Sequence, residues 1–398
     1  MKATLKKLTR ELKKIPTYLF FKSLTVITVL FYFPKLIYLL ARQEKIIAFD
    51  WNDGLYGEMY FPLIEKLEQK EVNIVYFIDY GKVNHFGLKI INNSLPKLFG
   101  NLLDNKVVVS ATKSKYKKLA NTIRVQMFHG VGSFGVKFGM GFIEPFDVLF
   151  LQSASQRNQL ETEYKDVMAE KKMYNVGYPK IDKFVTVQNE RPYPFKDVTL
   201  FYGPTYHLKI SSIFSFLETI VTVCQTHNFK LIIKLHPFLL NKYNFDQSGG
   251  IDWRKKVSEY KAQYANITVV KYDEFNRNLL NSFQMTDIFI TDCSALGYEF
   301  VLATSKPILF LGKKLKIPLV DLSKGSIEKY SKYPEVYYRG KIGPIIYQPN
   351  EFETAIKKMI KKNDYTNAIE SFRKEYIYNL GRAAEVGASK LLELHAEL

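Results

Sequence analysis

Short apolar runs alternate with amphipathic stretches along most of this chain. From Lys45 onward, runs rich in Val, Ile, Leu and Phe recur, and longer segments with apolar residues at helical spacing separate them. Uninterrupted apolar runs are typical of parallel strands that are buried on both faces. The alternation therefore predicts βαβ units and an α/β fold.

The predicted elements fall into two similar sets. In the first half, strands are predicted at Ile46–Trp51, Ile74–Asp79, Val107–Ala111, Val125–Phe128 and Val148–Gln152, with a helix from about Gly57 to Gln69. In the second half, strands are predicted at Val198–Tyr202, Lys230–Leu235, Ile267–Lys271, Ile288–Thr291 and Pro307–Leu311, with helices at Ser211–Thr226, Phe275–Phe283 and Ala295–Ala303. A final helix is predicted over Tyr365–Leu394. Two such sets imply two Rossmann-like domains that face a cleft, with functional groups at the strand ends.

Length and composition indicate where the domains divide. The 398 residues suffice for two domains of ordinary size. The polar stretch Phe184–Lys196 carries Pro192 and Pro194 and is the predicted linker. The predicted divisions are a basic hydrophobic segment at 1–45, a first Rossmann-like domain at 46–185, a second at 190–372, and a C-terminal helix at 373–398 that can pack back on the first domain.

The net charge of +18 is unevenly distributed, because residues 1–45 alone hold ten basic and two acidic side chains. A basic balance implies an anionic partner, such as nucleic acid, anionic lipid or a phosphorylated substrate. No helix-turn-helix, zinc-finger or RNP-like pattern occurs, so nucleic acid is not a predicted partner. The two cysteines, Cys224 and Cys293, form no CxxC pair, and neither a metal site nor a cofactor is predicted.

The apolar stretch at residues 17–41 is interrupted by Lys22, Pro34 and Lys35. Its longest uncharged run, Ser23–Pro34, is shorter than the ~20 residues that span a bilayer. We favour a helix that lies in the interface of an anionic membrane, because basic residues flank the stretch on both sides. A single uncleaved span, extended by snorkelling of Lys22, is the alternative. A buried helix of a soluble domain fits the aromatic density and surrounding charge less well.

Histidines follow one predicted strand in each half. His129 follows the predicted strand Val125–Phe128 and begins a glycine-rich loop that runs through Lys137 to Gly139. Glycines there would let the backbone approach a ligand closely. His236 follows Lys234 and precedes Pro237 in the second half. Such a pair suits phosphate transfer, which needs a base for a hydroxyl proton and donors for the phosphate oxygens. A tight turn with a half-buried histidine is the structural alternative for His129.

Two further strand ends in the second half carry polar residues. Gly203, Pro204 and Thr205 follow one strand, and Thr291, Asp292 and Ser294 follow another and open a helix. A helix N-terminus offers free N–H groups and a positive dipole end to a phosphate. Ser294 can bind a phosphate oxygen or cap the helix, and a plain N-cap by Asp292 or Ser294 is equally compatible with the sequence. Glu299, in that helix, can meet ribose hydroxyls or face solvent.

This ordered set resembles the CDP-glycerol:poly(glycerophosphate) glycerophosphotransferase family over about residues 46–395. The resemblance is carried by His129–Gly130, Gly177–Asp182, Gly203–Thr205, Lys234–Pro237 and Thr291–Ser294. It implies a GT-B-like architecture with acceptor binding by the first domain and nucleotide-donor binding by the second. It also implies attack of a polymer-end or lipid-linked hydroxyl on the β-phosphate of CDP-glycerol, with release of CMP, at the cytoplasmic face of the cell membrane.

By this resemblance His129 is the general base, His236 contacts the donor pyrophosphate, Ser294 holds phosphate and Asp292 shapes its loop. The candidate substrate-binding residues are Gly130, Lys137, Gly203, Pro204, Thr205, Lys234, Pro237, Thr291, Asp292, Ser294 and Glu299. The family usually has His-Gly-Thr-Pro and Asp-Tyr-Ser-Ser, whereas this chain has Val131–Gly132 and Cys293–Ser294–Ala295 at those places. These departures leave CDP-ribitol, another activated polyol or a nucleotide sugar as alternative donors.

Two other functions stay open from the sequence. A GT-B glycosyltransferase that uses a nucleotide sugar in cell-surface glycan synthesis would use the same fold and the same phosphate-binding helix. A non-catalytic, membrane-bound protein that binds an anionic polymer would explain the charge, but it would leave the strand-end histidines without a role.

Overall fold

The computed structural model describes residues 32, 34–51, 53–78, 94–112, 116–128, 130–131, 143–185, 194–270, 275–312 and 334–398. These residues form two parallel sheets with helices against them. The helices are residues 34–42 (α1), Asp53–Leu67 (α2), Ala154–Glu163 (α3), Lys165–Met168 (α4), Asp182–Val185 (α5), Ile213–Thr226 (α6), Phe245–Ser248 (α7), Trp253–Gln263 (α8), Phe275–Met285 (α9), Ala295–Thr304 (α10), Pro334–Tyr337 (α11), Phe352–Lys361 (α12), Thr366–Tyr376 (α13) and Ala383–Glu397 (α14).

The first sheet contains seven parallel strands in the order β3-β2-β1-β4-β5-β6-β7. They are β1 (Ile46–Trp51), β2 (Asn73–Ile78), β3 (Ser94–Pro96), β4 (Lys106–Ser110), β5 (Thr122–Met127), β6 (Val148–Leu151) and β7 (Lys172–Asn175). The order reverses between β1 and β4, as it does in Rossmann-like sheets, and this reversal opens a crevice at the carboxyl ends of these strands.

The second sheet contains six parallel strands in the order β10-β9-β8-β11-β12-β13. They are β8 (Thr199–Tyr202), β9 (Lys230–Ile233), β10 (Ile267–Val269), β11 (Ile288–Thr291), β12 (Ile308–Leu311) and β13 (Ile345–Ile346). Here the order reverses between β8 and β11. The prediction of an α/β fold with two Rossmann-like sheets is confirmed.

The apolar runs located the buried strands and missed three at or near sheet edges. β3 has three residues and β13 has two, which is too short for a periodic signal. β7 reads Lys-Met-Tyr-Asn and has no fully buried residue, because it is the last strand of its sheet. Edge strands lack the continuous apolar run on which the prediction rested.

The C-terminal prediction of one helix over Tyr365–Leu394 is wrong, because the structure has two helices there. α13 ends at Tyr376 and α14 begins at Ala383. Between them Asn379 and Gly381 have φ angles of 48° and 80°, which a right-handed helix cannot accommodate. The predicted linker also begins too early, since Phe184 lies in α5 and its ring centroid is 5.5 Å from that of Phe283.

The last helix lies on the first sheet. Leu391 and Leu394 are fully buried in the same apolar cluster as Leu63 of α2 and Ile47 of β1. A Cβ at Gly387 would stand 2.9 Å from the Leu63 side chain, so the glycine helps α14 to approach α2 closely. The chain therefore crosses from the second sheet back to the first before it ends its last helix.

The helix at residues 34–42 packs on the other side of the first sheet. Leu36 and Leu39 are buried in a cluster with Ala48, Val75 and other residues of β1 and β2. Ile37, Tyr38 and Leu40 point outward and are exposed. The end of the predicted 1–45 segment is thus part of the first core, while residues 1–31 lie outside the described chain. No helix among the described residues is long and apolar enough to cross a bilayer.

Candidate active site

The predicted site residues of the second half meet at one edge of the second sheet. β9, β8 and β11 are neighbours in that sheet, so the loops that follow them emerge side by side. His236 follows β9, Thr205 follows β8, and Asp292 follows β11. The point of strand-order reversal, between β8 and β11, therefore lies between Thr205 and Asp292, which is where ligands bind in open parallel sheets.

Asp292 joins these loops through hydrogen bonds to its carboxylate. Its side chain is buried, and Oδ1 accepts hydrogen bonds from the main-chain N–H of Thr205 at 2.9 Å and of Cys293 at 2.6 Å. Oδ2 accepts from the N–H and the hydroxyl of Ser212 at 2.7 and 2.9 Å. Four donors thus satisfy the carboxylate, which fixes the β8 and β11 loops and the start of α6 relative to one another. This geometry gives Asp292 a positioning role.

Arg339 fixes the same edge from the opposite side, and the sequence analysis missed it. Its guanidinium donates through Nη1 to the carbonyl of Asp292, and through Nη2 to the carbonyls of Leu311 at 3.2 Å and Gly312 at 2.7 Å. The guanidinium lies 4.8 Å above the Phe310 ring centroid, and the residue is 7% exposed. One buried cation therefore ties the loops after β11 and β12 together.

His236 lies between two aromatic rings at the end of β9. Its ring centroid is 4.2 Å from that of Tyr206 and 5.3 Å from that of Phe238. Nδ1 accepts a hydrogen bond from the Phe238 N–H at 3.2 Å, so the neutral imidazole carries its proton on Nε2. Pro237 begins the short 3₁₀ helix Pro237–Leu240 that follows this ring, and Lys234, two residues before His236, is buried.

The helix after β11 starts as predicted. Ser294 is the N-cap of α10, and its hydroxyl accepts from the Leu296 N–H at 3.4 Å. The Thr291 hydroxyl donates to the Gly203 carbonyl at 2.7 Å, and a Cβ at Gly203 would stand 2.8 Å from the Phe289 ring. Structural roles thus account for Thr291 and Gly203, while the long cap bond of Ser294 is compatible with both alternatives for its hydroxyl.

Glu299 is neither exposed nor at the loop ends. Its Oε2 lies 2.9 Å from Nζ of Lys180, and its Oε1 accepts from the Tyr178 hydroxyl at 3.1 Å. The Lys180 and Glu299 side chains are 12% and 6% exposed. Of the two alternatives for Glu299, the one in which it faces solvent is wrong, because both of its oxygens contact the segment Gly177–Asp182 of the first domain.

The same segment holds the last helix. A Cβ at Gly177, whose φ is 97°, would overlap the Tyr378 carbonyl. The Asp182 carboxylate accepts from the Ala384 N–H at 2.6 Å at the start of α14. Burial raises the pKa of Asp182 to about 6, although main-chain N–H groups of α14 oppose the shift. Gly177–Asp182 therefore contacts both the second domain and the C-terminal helix.

In the first domain, the strand before the predicted histidine loop is as expected. β5 ends at Met127, and the Phe128 carbonyl accepts from the Gln152 side-chain amide at 2.7 Å. Among described residues, nothing lies within 4 Å of a Cβ built at Gly130, so packing does not require glycine there. His129 and Lys137 lie outside the described residues, and their roles stay predictions.

A second buried carboxylate stands at the order reversal of the first sheet. Asp50, in β1, lies 2.6 Å from Nζ of Lys97 and accepts from the hydroxyls of Tyr116 at 3.0 Å and Ser110 at 3.3 Å. Burial, and then the charge of Asp50, raise the pKa of Tyr116 well above its usual value. The described residues contain no group of three or more His, Cys, Asp and Glu side chains that could hold a metal ion.

Two parallel sheets, each with a crevice where its strand order reverses, define the GT-B-like class of α/β proteins. The family model for CDP-glycerol:poly(glycerophosphate) glycerophosphotransferases matches residues 55–386. The chain belongs to this family. No curated protein matches the chain.

Solved structures with the same fold include the wall teichoic acid polymerase TagF. One TagF structure is 15% identical, with a TM-score of 0.62 over 100% of this chain and 98% of that chain. A TagF variant soaked with CDPG is also 15% identical, with a TM-score of 0.59 over 99% and 98%. The UDP-GlcNAc 2-epimerase from Neisseria meningitidis bound to UDP-GlcNAc is 12% identical, with a TM-score of 0.54 over 88% and 100%.

Proposed function

We propose that the chain transfers glycerol phosphate, or a related polyol phosphate, from a CDP-activated donor to a hydroxyl of a cell-surface polymer or lipid-linked acceptor, and releases CMP. Family membership supports the reaction class. The observation that carries the proposal is the edge where Thr205, His236 and Ser294 follow three adjacent strands of one sheet. In this proposal the second domain binds the donor and the first domain binds the acceptor.

In the proposed reaction, the acceptor hydroxyl oxygen attacks the β-phosphorus of the donor. A bond forms between these two atoms, and the bond from that phosphorus to the bridging oxygen breaks, so CMP leaves with the electron pair. His129 takes the hydroxyl proton as general base. In this proposal His236 and the start of α10 supply the hydrogen-bond donors that stabilise charge on the pyrophosphate oxygens. Asp292 and Arg339 hold the loops that carry these donors.

The proposed location is the cytoplasmic face of the membrane, with the N-terminal segment lying in the interface. The exposed face of α1 supports this, because Ile37, Tyr38 and Leu40 are apolar and the guanidinium of Arg42 lies 5.2 Å from the Tyr38 ring centroid. An apolar face bordered by basic residues is typical of interfacial helices.

The first test is thermal stabilisation by CDP-glycerol, CDP-ribitol, CMP, CDP, UDP and GDP, because a ligand that binds only the folded state raises the melting temperature. We expect a response confined to cytidine nucleotides. A response to uridine or guanosine nucleotides would instead favour the glycosyltransferase alternative, which releases a nucleoside diphosphate. Absence of any response would favour the non-catalytic alternative.

The second test is CMP release by His129→Ala in the presence of donor and acceptor. We expect a loss of ~10²–10⁴-fold in turnover, the range for general-base removal, with the melting temperature retained. His227→Gln is the matched control, because His227 pairs with Glu353 at 2.7 Å, in a part of the second domain with no predicted site residue. Turnover by His129→Ala close to that of the control would show that His129 is not the base.

A further inference from the structure

Exposed apolar side chains are concentrated in one part of the second domain. Of the twelve large hydrophobic residues that are exposed in the described chain, five lie between positions 208 and 251. We call them the aromatic patch: Leu208, Phe238, Tyr243, Phe245 and Ile251. Tyr243 is 88% exposed and Phe245 is 63% exposed. Clusters of this kind on a soluble surface indicate an interaction site.

Contacts bring Leu208 against the segment that carries the rest of the aromatic patch. The Leu208 N–H donates to the Asp246 carbonyl at 2.7 Å, which brings the loop after His207 against α7. Leu208 and Phe245 flank the turn at Gly249 and Gly250, since Cβ atoms built there would stand 3.2 and 3.5 Å from these side chains. The 3₁₀ helix that carries Phe238 also contacts α7. Leu208, which is distant in sequence, thus lies beside the segment 238–251 that carries the other four residues.

The aromatic patch adjoins the candidate active site. The Phe238 and Tyr206 ring centroids are 4.9 Å apart, and both rings pack against His236. Whatever covers the patch therefore lies beside the crevice at the end of β9.

The charges around the aromatic patch favour an anionic partner. Lys209, Lys242, Arg254 and Lys255 are exposed within or next to it. Two acids lie among them, Asp246 and Asp252, and Asp252 is 3.5 Å from Nζ of Lys242 and also caps α8. The Lys242 ammonium stands 5.4 Å from the Tyr243 ring centroid. The aromatic patch thus combines tyrosine and lysine with Phe, Leu and Ile. This combination matches the chemistry of a bilayer interface.

We propose that the aromatic patch is a second membrane contact, and that it seats the second domain on an anionic bilayer with the crevice of His236 beside the lipid surface. A polar polyol-phosphate polymer would explain the lysines but not the exposed leucine and isoleucine. This contact is separate from the N-terminal one, and it does not depend on the proposed reaction because no donor or acceptor takes part in binding. It would bring the crevice to the plane in which a lipid-linked acceptor lies.

The test uses the full chain and vesicles of phosphatidylcholine with 30% phosphatidylglycerol or without it. Tyr243→Trp reports insertion through a blue shift and through quenching by brominated lipid, after subtraction of the unsubstituted protein, which contains Trp51 and Trp253. Tyr347→Trp is the control, at a tyrosine of the same domain that is 45% exposed and outside the patch. We expect quenching of Tyr243→Trp by anionic vesicles at least threefold greater than that of the control. Equal quenching, or none, overturns the proposal.

Partitioning provides an independent measure. We expect Tyr243→Ser/Phe245→Ser to lower the fraction bound to anionic vesicles at limiting lipid by tenfold or more. The matched variant Met285→Ser/Tyr347→Ser removes two exposed hydrophobic residues elsewhere in the domain and should leave it unchanged. Two other results would assign a different occupant and overturn the membrane contact. They are a dimer in sedimentation that the double serine variant abolishes, and a raised KM for soluble acceptor with lipid binding intact.

Discussion

Nζ of Lys180 lies 2.9 Å from Oε2 of Glu299, and these two residues belong to different domains. Glu299 is in α10, the helix that Ser294 caps at the candidate active site. Lys180 is in the segment that also holds the last helix. The ion pair therefore links α10 of the second domain to the first domain, and its loss should affect both stability and geometry.

We expect Glu299→Gln to lower the free energy of unfolding by about 3 kcal/mol, because it leaves the buried Lys180 ammonium without its counter-charge. Denaturant unfolding measures this change. Glu65→Gln is the control, since Glu65 pairs with Lys183 on the surface, where ion pairs contribute about 0–1 kcal/mol. Adding Lys180→Met to Glu299→Gln should recover part of the loss. A loss for Glu299→Gln no larger than for the control would show that the pair does not join the domains.

Asp292→Asn should destabilise the second domain by about 3 kcal/mol and abolish stabilisation by cytidine nucleotides. The asparagine amide would place a donor against the N–H and hydroxyl donors that now face the carboxylate, and hydrogen bonds to a charged group are worth about 1.5–3 kcal/mol each. Thermal unfolding with and without CMP measures both effects. Asp252→Asn changes an exposed N-cap, where asparagine caps as well as aspartate, and should change neither.

Arg339→Lys should raise the KM for donor or lower kcat by about tenfold or more, because a lysine ammonium cannot hold three carbonyls in the geometry of the guanidinium fork. Arg373→Lys is a matched control. Arg373 also donates to a main-chain carbonyl, that of Leu302, but at the far end of α10. Both variants should melt earlier, and only Arg339→Lys should alter steady-state kinetics. If the steady-state kinetics of Arg339→Lys match those of Arg373→Lys, Arg339 has only a structural role.

Asp182 should make stability fall as the pH rises. Burial raises its pKa in the folded protein to about 6, from an unperturbed value of 3.8, so folding favours the protonated carboxyl. Its contribution to stability is fully present below pH 3.8 and is lost as the pH rises through 6. In Asp182→Asn, stability relative to the unsubstituted protein should therefore increase between pH 4 and pH 6.5 and level off above. A difference curve flat across this window would show that the carboxyl titrates normally.

The residues at the strand ends could be predicted because polar side chains follow the strands at the same edge of the sheet where the topology places a ligand crevice. Neighbouring parallel strands end at one edge, so Thr205, His236 and Asp292 had to emerge together once βαβ units were inferred. Arg339 could not be found in this way. It lies between β12 and β13, where the apolar pattern is weak, and its partners are main-chain carbonyls, which every residue possesses. The contacts that give Arg339 its role form only when the chain folds, so no sequence pattern marks them.

Glu299 shows a second limit of the sequence. Its place in a helix that follows a predicted strand was predicted correctly, but its burial against the first domain was not predicted. Which face of α10 is buried depends on the contact between the domains, and the partner Lys180 is distant in sequence. The break between the two C-terminal helices was missed for a similar reason, because Tyr378 at that break approaches Gly177, which is distant in sequence.

The return of α14 to the first sheet has a consequence for biosynthesis. Leu391 and Leu394 complete a core that includes Ile47 and Leu63, which leave the ribosome more than 300 residues earlier. The nascent first domain must wait, with part of its apolar surface uncovered, until the second domain has been translated. Chaperone binding should therefore concentrate on α2 and β1 during translation. Truncations that remove only α14 should aggregate through the apolar surface of the first domain that α14 normally covers.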